Sequence, residues 1–494
     1  MDSTNPAKKR KSTSDSDPPL PGNDAPSSVL SVNLPQADLN RLIDRRVVFA
    51  VEEKTLALSS RVAGLQRNEE LLRRCESLER SFQVLKKEGN WAYTAPDVPR
   101  SYWTEQGRDE EYAGGAESLI ERIKACTHDL RSAGGNVIAE VGVGSEAHVI
   151  SEDDALHPHW EQLADAMQLS ERIATLGFYR AQLNEHTLQM IEASVRQKGI
   201  AGFGLFSNQF RGSEGVQFTI DVLKNNSSVE EFDWEENTFH STMDSCTLID
   251  AVLHHPSISH LNLARSLNEG IISFTPVKRL FSGVGNDTLL TINLCDNGII
   301  MNGDRCIPDF LSANPTLKRL NLAGNRLNKE DALNIAQALQ YNTNLTDLNM
   351  EDNALKKKGK WNMYILSVFG ISPSVLSKLD YLLKFDLNTV SKANHTCKIT
   401  GIAPTDYFMN NSNDSAKLNR RKKLFMLIRK RHRNGCQISQ LETEFSESSV
   451  GIMPHVLSFI SMHESRNMKH YCLSVLFEMM RDWKTPEIYQ FYPR

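Results

Sequence analysis

Residues 314–339, NPTLKRLNLAGNRLNKEDALNIAQAL, place Leu317, Leu320, Leu322 and Leu327 in a frame with Asn325 before the last leucine. That spacing fits neither one amphipathic helix nor one alternating strand. The same frame returns as IATLGFYRAQL from 173, IAGFGLFSNQF from 200, VEEFDWEENTF from 229, ISHLNLARSLN from 258, LLTINLCDNGI from 289 and LTDLNMEDNAL from 345. Successive starts are 27, 29, 29, 31, 28 and 28 residues apart. A weaker eighth copy, LLKFDLNTV, is read from Leu382 after a longer insertion. Leu320 and Leu322, two residues apart, share one face of a short strand. Asn325 ends that strand, where its carboxamide can hold backbone groups of the turn. Helical stretches such as 331–339 and 248–255 carry the chain to the next copy. One strand and one helix cannot bury their apolar faces alone, so the copies must stack into a continuous core.

With this period and these N-x-[LIF] endings, residues 160–390 resemble the leucine-rich repeat superfamily, in the long-repeat class typified by ribonuclease inhibitor. The resemblance implies an α/β solenoid, a horseshoe of parallel strands with helices outside. It also implies protein binding across the concave sheet, and not catalysis. Asn208, Asn237, Asn297, Asn325 and Asn353 fill the strand-ending position, whereas Ala181 and Ser266 replace it. Those two turns are expected to be looser.

The flanks differ in character. Residues 1–37 are rich in Pro, Ser, Asp and Asn and read as a disordered tail. They contain Lys8, Lys9, Arg10 and Lys11, a cationic run that suits a nuclear localisation signal or a solubilising cluster. Residues 38–88 read as one long helix. Leu58, Val62 and Leu65, then Leu71, Cys75, Leu78, Phe82 and Leu85, recur at coiled-coil spacing, so self-association is open beside a lone amphipathic helix. Residues 89–168 form a small mixed segment and N-terminal cap. Its GGNVIAEVGVGSEAHVI suggests short strands, and Trp160, Leu163 and Met167 are expected to close the first repeat. Residues 169–390 hold the repeats. Residues 391–494 form a helical C-terminal cap whose stretch from Lys417 to Arg433 contains no acid. Within it, Arg420, Arg421, Lys422 and Lys423 fit a second localisation signal, a nucleic-acid contact, an anionic-surface helix or a solvated face.

A formal net charge of −5 disfavours a general nucleic-acid-binding role, because phosphate binding normally requires a basic excess. No secretory signal is expected at the N-terminus and no run is long enough for a membrane span. Eight scattered cysteines suggest reduced thiols. No catalytic signature, metal-ligand spacing or phosphate loop appears, so neither an enzyme nor a cofactor is expected. Nucleus or cytoplasm is the expected location, with the nucleus favoured.

Strand residues beside the core leucines must face the concave side. One column reads Gly204, Asp233, Asn262, Asn293, Asn321, Asn349 and Asp386. Acids gather in two zones, Glu231, Asp233, Glu235 and Glu236 in one copy and Asp347, Glu351 and Asp352 in another, interrupted by Arg265 and Arg319. The expected function is a scaffold binding a protein partner on this face, whose acids suit a basic one. The alternatives are a regulator of a small GTPase, since Ran GTPase-activating proteins use this repeat class, and a nucleic-acid-associated protein using the basic C-terminal helix.

Overall fold

The computed structural model describes residues 91–132, 137–144, 148–267, 274–282, 286–370, 387–402 and 409–433, with the single positions Lys54, Leu71, Arg74 and Leu78. Those four positions are helical and belong to a separate unit, Met1–Glu79. The tail with Lys8 to Lys11 and the remainder of the expected long helix lie outside the described residues.

Nine strands form one sheet: β1 (Val137–Gly142), β2 (Ile173–Tyr179), β3 (Gly202–Phe206), β4 (Glu231–Glu235), β5 (His260–Asn262), β6 (Thr291–Asn293), β7 (Arg319–Asn321), β8 (Asp347–Asn349) and β9 (Lys398–Thr400). Their spatial order is their chain order, and every neighbouring pair is parallel. Helices alternate with them: α1 (Arg100–Glu105) and α2 (Glu110–Ser132) precede β1, and α3 (His157–Leu169) precedes β2. Then follow α4 (Glu185–Ser194), α5 (Glu214–Asn225), α6 (Thr242–Leu253), α7 (Thr275–Ser282), α8 (Cys306–Ser312), α9 (Lys329–Ala338), α10 (Lys357–Phe369), α11 (Leu387–Ser391) and α12 (Ala416–Arg433). From α2 onward each helix packs on the next, so they make one layer over one sheet face and, among the described residues, leave the other open.

The core lies between these layers. Leu320, Leu322, Ile335 and Leu339 are all essentially inaccessible. Each such side chain contributes about 1.5–3 kcal/mol through removal from water. Start signals are local: Asn328 Oδ1 accepts from the amides of Glu330 and Asp331, while the Asp331 carboxylate accepts from the Asn328 amide, a capping box that opens α9.

The strand-ending asparagines form a ladder through the core. Asn325 Nδ2 donates to Leu294 O at 2.9 Å in the preceding repeat and to Leu322 O at 3.0 Å in its own. Its Oδ1 accepts from the amides of Asn297 and Ile299. Asn208, Asn237, Asn297 and Asn353 repeat the backward donation, to Phe178 O, Leu205 O, Leu263 O and Leu322 O. The residue before each ladder position is left-handed, from Arg180, Ser207, Glu236, Arg265 and Asp296 to Gly324 and Asp352. That conformation swings the backbone so that the next side chain points under the sheet.

Four expectations need correction. Ser266 does not loosen its turn: its hydroxyl donates to Trp234 O, the carbonyl an asparagine would take, and its amide donates to Asn297 Oδ1. Ala181 has no side-chain donor, and there the chain instead forms a bridge with Ile150. Of the copy read from Leu382, residues 382–386 with Asp386 lie outside the described residues, and its end is helical, because Leu387 opens α11; the strand that pairs with β8 is β9, where Thr400 stands in register with Asn349. Trp160, Leu163 and Met167 do not close the N-terminal end. They are buried on α3, a repeat helix, because the supposed mixed segment supplies β1 and its helix α2, whose Leu119 and Ile123 extend the core with Trp103 of α1.

Candidate functional site on the open face

The pleat sends alternate side chains to the open face. On β4, Phe232 and Trp234 are buried, while Glu231 is exposed and Asp233 and Glu235 are half-buried on the other side. The strand is anchored by stacked aromatics, with Trp234 5.5 Å from Phe210 and 5.3 Å from Phe239 between ring centroids. The expected orientation of the three acids is therefore what the strand adopts.

Their electrostatic situations differ. Glu235 and Glu236 are already paired: Arg265 bonds Glu235 at 2.9 Å and also Glu236, and Arg180 reaches Glu236 at 3.3 Å. Asn262 Nδ2 adds a bond to Glu235 at 3.0 Å. Glu231, Asp233 and Glu140 on β1 have no ion pair among the described residues. Burial holds the Asp233 carboxyl above the usual carboxylate range, and Glu235 and Glu231 push the same way against the Asn262 amide and His260. A negative charge at Asp233 thus sits half out of water without a cation.

Beside these acids lies an aromatic pair that the sequence reading passed over. Tyr179 on β2 and Phe206 on β3 are in register and stack with centroids 4.6 Å apart and planes 5° from parallel. Both rings lean back over glycines on the same face. A Cβ on Gly204 would lie 2.5 Å from the Phe206 ring, and one on Gly177 would lie 3.0 Å from that of Tyr179. The same Cβ atoms would lie close to the flanking acids, 3.5 Å from Asp233 Cβ at Gly204 and 3.3 Å from Glu140 Cγ at Gly177. The Tyr179 hydroxyl is pushed up to about 12 by burial, then by Glu140 and Asp233. A signal was present, since G-x-[YF] occurs in two successive copies, 177–179 and 204–206, and alternation puts glycine and ring on one face.

The second acidic zone is a different surface. Asp347 accepts a bond from Thr346 Oγ1 and stands in register between Arg319 and Lys398, so cations flank it on both neighbouring strands. Glu351 and Asp352 are exposed, the latter left-handed. Glu351 lines a cavity of about 1130 Å³ together with Lys357, Lys358, Lys360, Lys398 and Trp361, so this acid stands on a mainly basic wall. The two zones sit four strands apart and do not form one site.

The basic C-terminal helix is partly built into the fold. Lys423 is 2% exposed, and its Nζ donates to Val368 O and Asn394 O. Lys422 pairs with Asp414 at 2.5 Å, and Arg420 Nε donates to Ser391 Oγ. Arg421 is half-buried. The run Arg420–Lys423 is therefore not a continuous accessible patch, because Lys423 faces inward with Leu424 and Leu427.

A second column of buried caps also escaped the sequence reading. Asn226, His255, Asn342 and Asn394 precede the strands and hold the carbonyls and amides of the entry turns. The signal is a polar residue three before the first apolar position, as in Asn342 before Leu345.

Among the described residues no cluster of His, Cys, Asp and Glu could hold a metal ion, and no helix is long and apolar enough to cross a membrane. No family model and no curated protein matches the chain.

Proposed function

We propose that this chain is a leucine-rich-repeat scaffold of the ribonuclease-inhibitor-like class, and that its open sheet face binds a basic segment of a protein partner. The observation that carries the reading is the carboxylates Glu140, Glu231 and Asp233 around the β1–β4 half of that face, which have no ion pair among the described residues, with Asp233 drawn partly out of water. A cationic side chain arriving there relieves a charge that has no ion pair among the described residues. Complementary charge of this kind chiefly accelerates encounter.

The test uses the full chain with labelled hexalysine and hexaglutamate peptides. Hexalysine should bind and weaken with rising salt, and hexaglutamate should not. The triple change Glu231→Gln, Asp233→Asn, Glu235→Gln should slow hexalysine association. The control triple Asp347→Asn, Glu351→Gln, Asp352→Asn should change it less. Equal loss in both triples would mean attraction to overall charge and would sink the assignment to this half of the face.

A further inference from the structure

The aromatic pair gives the acidic half of the face a chemistry that carboxylates alone lack. Tyr179 and Phe206 stand side by side on adjacent strands, stacked, with their rings leaning over Gly177 and Gly204. Any larger residue at 204 would drive its Cβ into the Phe206 ring, so glycine is what permits this posture. On either flank the stem of an acidic side chain passes close to where a Cβ would stand, Glu140 Cγ at Gly177 and Asp233 Cβ at Gly204. Both rings are half-buried and retain surface on the open face.

Two flat π-faces beside two carboxylates that have no ion pair among the described residues suit one side chain best. A guanidinium is planar, stacks on aromatic rings, is weakly hydrated and offers a fork of donors to a carboxylate. An ammonium is a compact, strongly hydrated point charge that gains the charge attraction and less of the stacking. We infer that Tyr179 and Phe206, bedded on Gly177 and Gly204 and flanked by Glu140 and Asp233, form a seat for an arginine side chain of the bound segment. This rests on the scaffold reading above and names the partner residue that the face selects. The electrostatics agree: burial and like charges disfavour the ionised Asp233, and a guanidinium beside it restores that form.

The experiment compares labelled hexaarginine with hexalysine on the full chain at matched ionic strength. Hexaarginine should bind more tightly, by about three- to tenfold if one cation–π contact is gained. Tyr179→Leu and Phe206→Leu should each erase that preference while leaving hexalysine binding in place, because neither removes a charge. Tyr179→Phe keeps the ring and should keep the preference. Gly204→Ala keeps both rings and every charge yet displaces Phe206, so it too should lower the hexaarginine advantage. Thermal melts establish that each variant is folded, and Tyr179→Phe supports the comparison should a leucine variant fail to fold.

The outcomes separate the two claims. Binding of neither peptide overturns the scaffold reading and the seat with it. Equal binding of both, unchanged in folded Tyr179→Leu, overturns the seat and leaves the acidic scaffold standing. A preference for arginine that survives folded Phe206→Leu and Gly204→Ala also overturns the seat.

Discussion

The two halves of the sheet are built on one ladder and differ in what they show to solvent. β1 to β4 are five to seven residues long, while β5 to β9 have three each. Part of the difference lies in the central open-face column. In β5 to β8 it holds Asn262, Asn293, Asn321 and Asn349, and each Oδ1 captures the backbone amide two residues on, at Ala264, Cys295, Ala323 and Glu351. Such local bonds compete with the strand ladder and end it. β2 and β3 carry Gly177 and Gly204 there, which have no side chain to do this, and the strands run on to Tyr179 and Phe206. The substitution that lengthens these strands thus also clears the bed on which the rings lie. The repeat fixes the core identically in both halves and leaves the open face free to diverge.

The shared ladder is the part whose loss should be felt most. Asn325→Ala removes a carboxamide that serves three carbonyls and two amides across two repeats. A cost of about 3 kcal/mol is expected, at the upper end for buried groups left unpaired. The denaturant midpoint measures it. A midpoint within error of the parent would break the premise that both halves depend on one ladder.

The C-terminal end offers a test on the alkaline side of neutrality. Burial, opposed weakly by Cys397, brings the Lys423 ammonium down to about 7 from its ordinary 10.5. His395 beside it is pushed down to about 3 by burial and by Lys423 and Arg420. Between pH 7 and 10.5 the unfolded lysine binds a proton that the folded one has released. Stability should therefore rise with pH in that window, by at most about 1.4 kcal/mol per unit. Lys423→Met should flatten the rise. A rise of the same steepness in the variant would assign the effect elsewhere.

Ser266 tests the ladder at the junction between the halves. Ser266→Ala removes the donor to Trp234 O and leaves the backbone geometry in place. It should cost about 1 kcal/mol, less than the loss at Asn325, since one hydroxyl does the work of a carboxamide there. Comparable costs at 266 and 325 would mean that the serine is not a lesser rung.

How much of this was legible depends on whether a residue acts alone. The leucine frame is local, so strands, helices and the ladder asparagines could be read directly, and Phe232 and Trp234 inward with Glu231 and Asp233 outward followed from alternation alone. β1 was read as a short strand but not as part of the repeat sheet, and β9 was missed, because VIAEVG and KIT lack the leucine signature and join the sheet by pairing with β2 and β8. The pairing of Glu235 and Glu236 depends on Arg180 and Arg265, each nearly 30 or more residues away. Lys423 looked like one more cation in a basic run, and only the packing of α12 turns it inward. The ring pair was hidden because a glycine has no property of its own until a neighbour leans over it.

The smallest effect is the one that most sharpens the contrast between the halves. Asp233 and Asn262 occupy the same column on adjacent strands, one a carboxylate and the other its neutral near-isostere. The folded Asp233 has its pKa raised, first by burial and then by Glu235 and Glu231. Ionising it therefore costs the folded state more than the unfolded state. That penalty is absent below the unfolded value of 3.8, where both forms are protonated, grows as pH climbs through the folded value, and is fully present at neutrality. Asp233→Asn should consequently raise the melting temperature slightly at pH 7 and leave it unchanged near pH 3. The same variant should weaken hexalysine and hexaarginine binding at pH 7, because it removes the charge that attracts them. Stability gained where binding is lost is the behaviour of a residue retained for recognition. A variant less stable than the parent at pH 7 would instead show that Asp233 supports the fold, as its neighbour Asn262 does through Ala264.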